Sequence, residues 1–173
     1  MQKYLSFPIL TIFALLNWVL FTDDAGAFRI LTPAKFTHVE KEIRSGAIKT
    51  TTHTFFTFPT PDSSRYFSVS YYDIDTSGIE VNDTFSIQLL QSIEEGLLAS
   101  FDADKAYSAP LELRLGTGIM FRAGYNESRN AMKAQIRFYP PRVFVLQVLL
   151  PHREAMSRDA ERFFHSFEYL GVR

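Results

Sequence analysis

The most suggestive polar cluster in the sequence is a short stretch with oxygen-bearing side chains at alternate positions. Asp73, Asp75 and Ser77 precede Gly78, and this spacing is typical of the start of a calcium-binding loop, in which glycine allows a tight bend. The twelfth position of such a loop requires a glutamate, but here it is Thr84. Because Asp, Ser and Gly are also common turn residues, the sequence predicts a polar turn and no calcium dependence.

Four basic side chains form a second candidate site, provided that the strands predicted to carry them alternate regularly. An arginine can grip a carboxylate or a phosphate through two parallel hydrogen bonds, so a basic sheet face could bind an anion. The alternative is a solvated face whose charges pair across strands with Glu112 and Glu127. The basic residues of this face are Arg114, Arg122, Lys133 and Arg137.

The residue types needed for catalysis form no recognisable pattern. The chain has no cysteine, which excludes a thiolate nucleophile, a thiolate metal site and disulfides. Nothing resembles the Gly-x-Ser-x-Gly motif of serine hydrolases. Because the four histidines are far apart in sequence and fall on different predicted elements, we expect no catalytic residue, no cofactor and no metal site. These histidines are His38, His53, His152 and His165.

The first 27 residues are typical of an export signal. Lys3 supplies a positive start, residues 5–21 are mostly apolar, and Ala25-Gly26-Ala27 offers the small side chains that a signal peptidase accepts. The alternative is an uncleaved membrane anchor, but the apolar run is shorter than the about 20 residues that span a membrane. We therefore expect cleavage after Ala27 and a periplasmic or secreted product.

The remaining residues, 28–173, have the length of one domain. They contain equal numbers of basic and acidic side chains. A neutral surface of this kind argues against nucleic acid or an anionic membrane as a partner.

Two strands and a helix are predicted in the first half of this domain. The strands cover residues 47–58 and 66–74, where β-branched and aromatic residues alternate. A helix is expected over residues 83–101, capped by Asn82 or Asp83. Its apolar residues recur every four positions, so this face should dock on a sheet with Ile93 buried at its middle. The apolar stripe consists of Phe85, Leu89, Leu90, Ile93, Leu97 and Leu98.

Four strands and a second helix are predicted in the remainder of the chain. The last strand, 143–150, is nearly all apolar, which is typical of a central strand covered on both faces. The order of elements predicts an α+β domain, with a mostly antiparallel sheet of six or seven strands and helices packed on it. The predicted strands are 111–115, 119–125, 132–139 and 143–150, and the helix is 154–168.

Four segments make the chain resemble the PsbP-like superfamily, which includes extrinsic photosystem subunits and small exported bacterial proteins of the DcrB type. They are similar to the family's opening strand ending in proline, its aromatic strand, its long hairpin and its closing helix. The resemblance implies an α/β/α sandwich with binding or assembly roles outside the cytoplasm, and it supplies no shared catalytic residues. The segments are 28–33, 66–73, 131–151 and 160–167.

From these observations we expect an exported, non-enzymatic accessory, binding or assembly protein, whose partner is another exported or membrane-associated protein. A small-ligand or anion-binding module that uses the basic face is the alternative, and an exported hydrolase is the third. A concave pocket with converging arginines would favour the ligand, and an exposed apolar patch would favour a protein partner.

Overall fold

The computed structural model describes residues 18–45 and 48–171. Within these ranges the chain forms two antiparallel sheets, two α-helices and one 3-10 turn, His152–Glu154. The elements are β1 (Val19–Asp23), β2 (Phe28–Thr32), β3 (Thr37–Ser45), β4 (Ile48–Thr57), β5 (Tyr66–Asp73), α1 (Asp83–Ser100), β6 (Asp104–Leu111), β7 (Thr117–Tyr125), β8 (Asn130–Tyr139), β9 (Arg142–Pro151), α2 (Arg158–His165) and β10 (Glu168–Tyr169).

The large sheet has seven strands in the order β3-β4-β5-β9-β8-β7-β6, and the small sheet has the order β1-β2-β10. Strand β9 lies in the middle of the large sheet, and its side chains alternate between two cores. Phe144 and Leu146 belong to the core under α2, whereas Val143 and Val145 belong to the core under α1. The predicted α+β class is confirmed, and so is the prediction that this strand is covered on both faces.

Helix α1 packs on β7 and β8. It begins after Asn82, whose side-chain oxygen accepts a hydrogen bond from the Phe85 amide at 2.9 Å, as the sequence predicted. Leu90 is fully buried at the centre of the contact. Ile93 packs against the same core but remains partly exposed. The buried residues of the helix are Ser86, Leu90 and Glu94, so the buried line is not centred on Ile93 as its sequence pattern suggested.

Helix α2 covers the opposite face of the sheet. Its Phe163 is fully buried, and the ring centroid lies 5.3 Å from that of Phe67 on β5. The predicted helix at 154–168 is shorter in the structure, because Ser157 caps a new helix by accepting from the Asp159 amide at 3.2 Å. Phe167 lies beyond the helix but is still buried.

Both edge strands of the large sheet differ from the prediction. Alternating leucines predicted a strand at 111–115, but the strand is β6, which ends at Leu111 and contains Pro110. Strand β3, on the other edge, was not predicted. Edge strands are commonly rich in charged residues and tolerate proline, because one side of each makes no ladder hydrogen bonds. Such strands lack the apolar alternation on which sequence prediction depends.

Residues 19–23 lie within the predicted export signal, yet they form a strand. Strand β1 pairs with β2 over its whole length, from Val19 opposite Thr32 to Asp23 opposite Phe28. Cleavage after Ala27 stays a prediction, and it would remove β1. In the part of the chain that the structure describes, no helix is both long and apolar enough to cross a membrane.

Candidate functional site

A groove with a volume of about 880 Å³ opens over β7 and β8, on the α2 side of the large sheet. Residues 112–115, which leave the sheet after β6, form one wall, and α2 with β10 forms the other. All four residues of the predicted basic face line this groove. They are Arg114, Arg122, Lys133 and Arg137.

Strand register explains why three of these residues share a face. Arg122 on β7 lies opposite Lys133 on β8, and Arg137 lies opposite Gly118. The residues next to them along each strand, such as Phe121 and Ile136, point to the opposite face, into the core under α1. The predicted alternation is therefore confirmed for these strands. Arg114 reaches the groove differently, because it lies beyond the end of β6.

Arg137 has the most unusual environment in the groove. The residue is only 8% exposed, and its guanidinium lies 4.6 Å from the centroid of the Phe167 ring. Nε and Nη2 donate to the side-chain oxygen of Gln135 at 3.2 and 2.5 Å, and Nη2 also donates to the Phe164 carbonyl at 3.1 Å. Burial lowers the pKa of Arg137 from its ordinary value.

The hydrogen-bond acceptors of Arg137 are therefore neutral. No carboxylate of the described residues forms an ion pair with it. A buried charge normally has an opposite charge beside it, because removing an ion from water is costly. An anionic group that entered the groove would supply that charge.

The other basic residues have weaker or different partners. Lys133 pairs with Glu161 of α2 at 2.5 Å, and the Arg122 guanidinium contacts the Met156 sulfur at 3.7 Å. Arg114 is exposed at the wall of the groove.

The cross-strand pairs that sequence reasoning proposed as the alternative are not seen among the described residues. Glu127 forms its ion pair with Arg129 at 2.7 Å, on the turn between β7 and β8. Glu112 lines the groove. A third acidic lining residue, Glu168, is paired with Arg29 at 2.6 Å.

Apolar side chains complete the groove. Leu113, Phe164 and Tyr169 contribute to the lining. Leu115 is 66% exposed and Met156 is 81% exposed, so apolar surface remains open to solvent at the rim. The groove can therefore contact both the charged and the apolar part of an amphipathic ligand.

The candidate calcium loop forms a turn in which both carboxylates already accept hydrogen bonds. The Asp73 oxygens accept from Arg142 at 2.6 and 2.8 Å, and these hydrogen bonds hold the pKa of Asp73 below its usual range. Asp75 accepts from the Ser77 amide at 2.9 Å, and Gly78 has a φ of +76°, the left-handed conformation that favours glycine. The absence of calcium dependence stays a prediction.

Two of the four histidines meet in the structure. His38 on β3 and His53 on β4 lie on neighbouring strands, with ring centroids 5.6 Å apart. Glu40 lies beside both. The pattern His38-x-Glu40 places two potential metal ligands on one side of a strand. It predicts this only if β3 is recognised as a strand. His152 and His165 lie elsewhere, and His165 lines the groove.

No protein-family model matches this sequence, and no curated protein sequence matches it. Among solved structures, the fold is similar to the solution structure of cyanobacterial PsbP (CyanoP) from Synechocystis sp. PCC 6803. The match has a TM-score of 0.58 and covers 91% of this chain and 95% of that chain, at 9% sequence identity. The chain therefore has a PsbP-like fold, as the four sequence segments predicted. The resemblance to DcrB-type proteins stays a prediction.

Proposed function

We propose that this protein is an exported, non-enzymatic accessory protein that binds an anionic ligand with an apolar body in the groove between the large sheet and α2. The observation that supports this proposal most directly is the environment of Arg137, a buried guanidinium with neutral hydrogen-bond acceptors. A carboxylate or phosphate would form a charge-assisted hydrogen bond with it, which is about twice as strong as a neutral one.

The dimensions and lining of the groove suit a small organic ligand. Pockets for such ligands have volumes of about 300–1,000 Å³ and a mostly apolar lining with few polar groups, and this groove measures about 880 Å³. Arg137 is only 8% exposed, so the charged group of a ligand would bind in this buried part of the groove, beside the Phe167 ring. The apolar body would then contact Leu113 and Leu115.

The lining favours binding over catalysis. Among the described residues that line the groove there is no serine, threonine or cysteine. A hydrolase of the serine or cysteine type needs such a nucleophile within hydrogen-bond reach of a base. His165 and Glu161 are present, but Glu161 is already paired with Lys133.

Paired probes that differ only in charge test this proposal. We expect 4-phenylbutanoate and phenyl phosphate to raise the melting temperature, because a ligand that binds only the folded state stabilises it. The neutral 4-phenylbutanamide should have no such effect. The Arg137→Gln variant should lose the response, whereas Arg153→Gln should retain it, because the Arg153 side chain is 84% exposed and lies outside the groove. Equal responses to acid and amide, or no response to either acid, would contradict the proposal.

A protein partner that presents an acidic side chain to Arg137 is the second candidate. It is favoured by the exposed apolar residues at the rim, among which Met156 is 81% exposed. A photo-reactive residue at position 156 in the exported chain should then form a defined cross-linked product. The matched control is position 87, because Ile87 is also exposed but lies on α1, on the other side of the sheet. Identical products from both positions would exclude a partner specific to the groove.

A further inference from the structure

A cluster of potential metal ligands lies on β3 and β4, beside the core under α2 and outside the lining of the groove. The Glu40 carboxylate is 3.4 Å from Nδ1 of His53 and 3.9 Å from Nε2 of His38. One ligand atom from each residue lies within 4.8 Å of the others. The register explains this, because Glu40 is directly opposite His53 and His38 is two residues away on the same strand.

Aromatic stacking fixes the orientation of both imidazoles. The His38 ring stacks on Phe55 at 4.2 Å with an interplanar angle of 4°, and the His53 ring stacks on Tyr71 at 4.7 Å with an angle of 14°. Phe55 and Tyr71 are themselves buried in the core. A metal would therefore find two rings that are already held in place, which reduces the entropy lost on binding.

We propose that His38, Glu40 and His53 form a binding site for a zinc-like divalent transition metal. Two imidazole nitrogens and one carboxylate oxygen are a ligand set typical of zinc, and three protein ligands leave a fourth position open. Calcium and magnesium prefer sites made only of oxygen ligands. The side chains are partly exposed, at 40%, 59% and 25% respectively, so the metal can enter from solvent.

Zinc titration of the metal-free protein tests this site. We expect zinc to raise the melting temperature in a concentration-dependent manner, and equal concentrations of magnesium or calcium to have no effect. His38→Ala, His53→Ala and Glu40→Gln should each raise the fitted dissociation constant at least tenfold. The matched control is the double variant His152→Ala/His165→Ala, which removes the other two histidines and should bind zinc like the wild type. An unchanged dissociation constant in the three site variants, or the same loss in the control, would overturn the proposal.

The β1–β2 hairpin supports a second, independent inference. The Phe21 ring of β1 lies 5.1 Å from both Phe36 and Phe55. Trp18 packs edge-on against Phe67 at 6.3 Å. Phe28, which pairs with the end of β1, is 0% exposed. These residues connect the hairpin to the core under α2.

The turn of the hairpin is also held in place. The Ala25 carbonyl accepts from Arg142 at 2.8 Å, and the Ala27 carbonyl accepts from the Leu170 amide at 2.7 Å. At Gly26 a Cβ atom would lie 2.6 Å from the Tyr71 ring, so this small residue is explained by close packing within the fold. Gly26, the middle residue of the segment that suggests a peptidase site, therefore has a structural reason.

We infer that residues 18–27 remain part of the mature domain, and that any export cleavage falls before Trp18. A cut after Ala27 would separate β1 from β2 and uncover apolar side chains that are now buried, including Phe28 and Ile30. Mass spectrometry of the exported full-length chain should find an N-terminus at or before Trp18. A mature chain beginning at Phe28 would overturn the inference.

A comparison of two purified chains tests whether β1 stabilises the domain. The chain 18–173 should unfold cooperatively, whereas the chain 28–173 should melt at a much lower temperature or fail to fold. Equal melting temperatures would show that β1 contributes nothing to the domain, and would also overturn the inference.

Discussion

Among the described residues, each face of the large sheet buries one charged side chain, but the partners of the two charges differ. On the α1 side, Glu94 is 3% exposed, and its Oε1 lies 3.4 Å from the Lys105 ammonium in an ion pair without a hydrogen bond. On the α2 side, Arg137 is 8% exposed and bonds to neutral acceptors. The α1 side is internally neutralised, whereas the α2 side has a charge that a bound anion would neutralise.

The apolar packing over β7 and β8 also differs between the two faces of the sheet. Over β7 and β8 the α1 core is covered by one helix whose apolar stripe lies along these strands, and a smaller cavity of about 400 Å³ lies beside Phe101 and Tyr125. The α2 core is dense over β5 and β9, where aromatic rings from the hairpin and α2 meet, but over β7 and β8 it opens into the groove. The same two strands therefore have a structural side and a side available for binding.

The largest expected effect concerns the closed face. Leu90→Ala should lower the free energy of unfolding by about 2–5 kcal/mol, because Leu90 is fully buried and its removal leaves a cavity. Ile93→Ala should have a clearly smaller effect, because Ile93 is already partly exposed. Urea denaturation of the two variants measures the difference. An equal loss in both would place the centre of the helix contact at Ile93, where the sequence pattern predicted it.

Hydrophobic periodicity identified the docking face of α1 but not its buried charged residue. Glu94 is a polar residue in any hydropathy pattern, and it is buried because Lys105, 11 residues away on an edge strand, reaches it. Arg137 is a similar case. Strand alternation placed it correctly with Arg122 and Lys133, but its burial results from Phe164 and Phe167 at the end of α2.

The interior strands and the edge strands also differed in how well the sequence predicted them. Strands β5, β7, β8 and β9 were predicted within a few residues, because apolar alternation indicates burial in the sheet. The edges β3 and β6 are polar, and their pairing depends on neighbours distant in sequence. As a consequence, the sequence placed all four basic groove residues on strands, which is correct for three of them and wrong for Arg114, beyond the end of β6. It missed the cluster of His38, Glu40 and His53.

The next largest effect should come from removing the cation on the closed face. Lys105→Met should destabilise the fold by about 1–3 kcal/mol, because Glu94 would then be a buried charged group without a partner. The matched control is Lys133→Met, whose partner Glu161 has a side chain 52% exposed. Pairs of that kind contribute about 0–1 kcal/mol. Similar losses in the two variants would show that Glu94 does not depend on Lys105.

A smaller effect is expected when the buried charge on the open face is removed. The double variant Gln135→Leu/Arg137→Met removes both hydrogen-bonding side chains, and the Phe164 carbonyl keeps its bond from the Phe167 amide at 3.4 Å. Replacing buried polar partners by apolar groups of similar size is often neutral, so stability should change by less than about 1 kcal/mol. A loss larger than that of Lys105→Met would make Arg137 a structural residue and remove the contrast between the two faces.

The smallest effect concerns a charge pair that belongs to neither buried face. Asp73 is a half-exposed carboxylate whose pKa is lowered chiefly by the hydrogen bonds from Arg142. Its stabilising contribution is therefore present above the unfolded-state pKa of about 3.9 and is lost as the pH falls through the lower folded-state pKa. Melting curves from pH 6 to pH 2 should show a slightly smaller acid-induced decrease for Asp73→Asn than for the wild type. The difference should be small, because solvent screens exposed pairs. If the two acid profiles coincide, the Arg142–Asp73 pair contributes no measurable stability, and the energetic role of charge in this fold is confined to its buried faces.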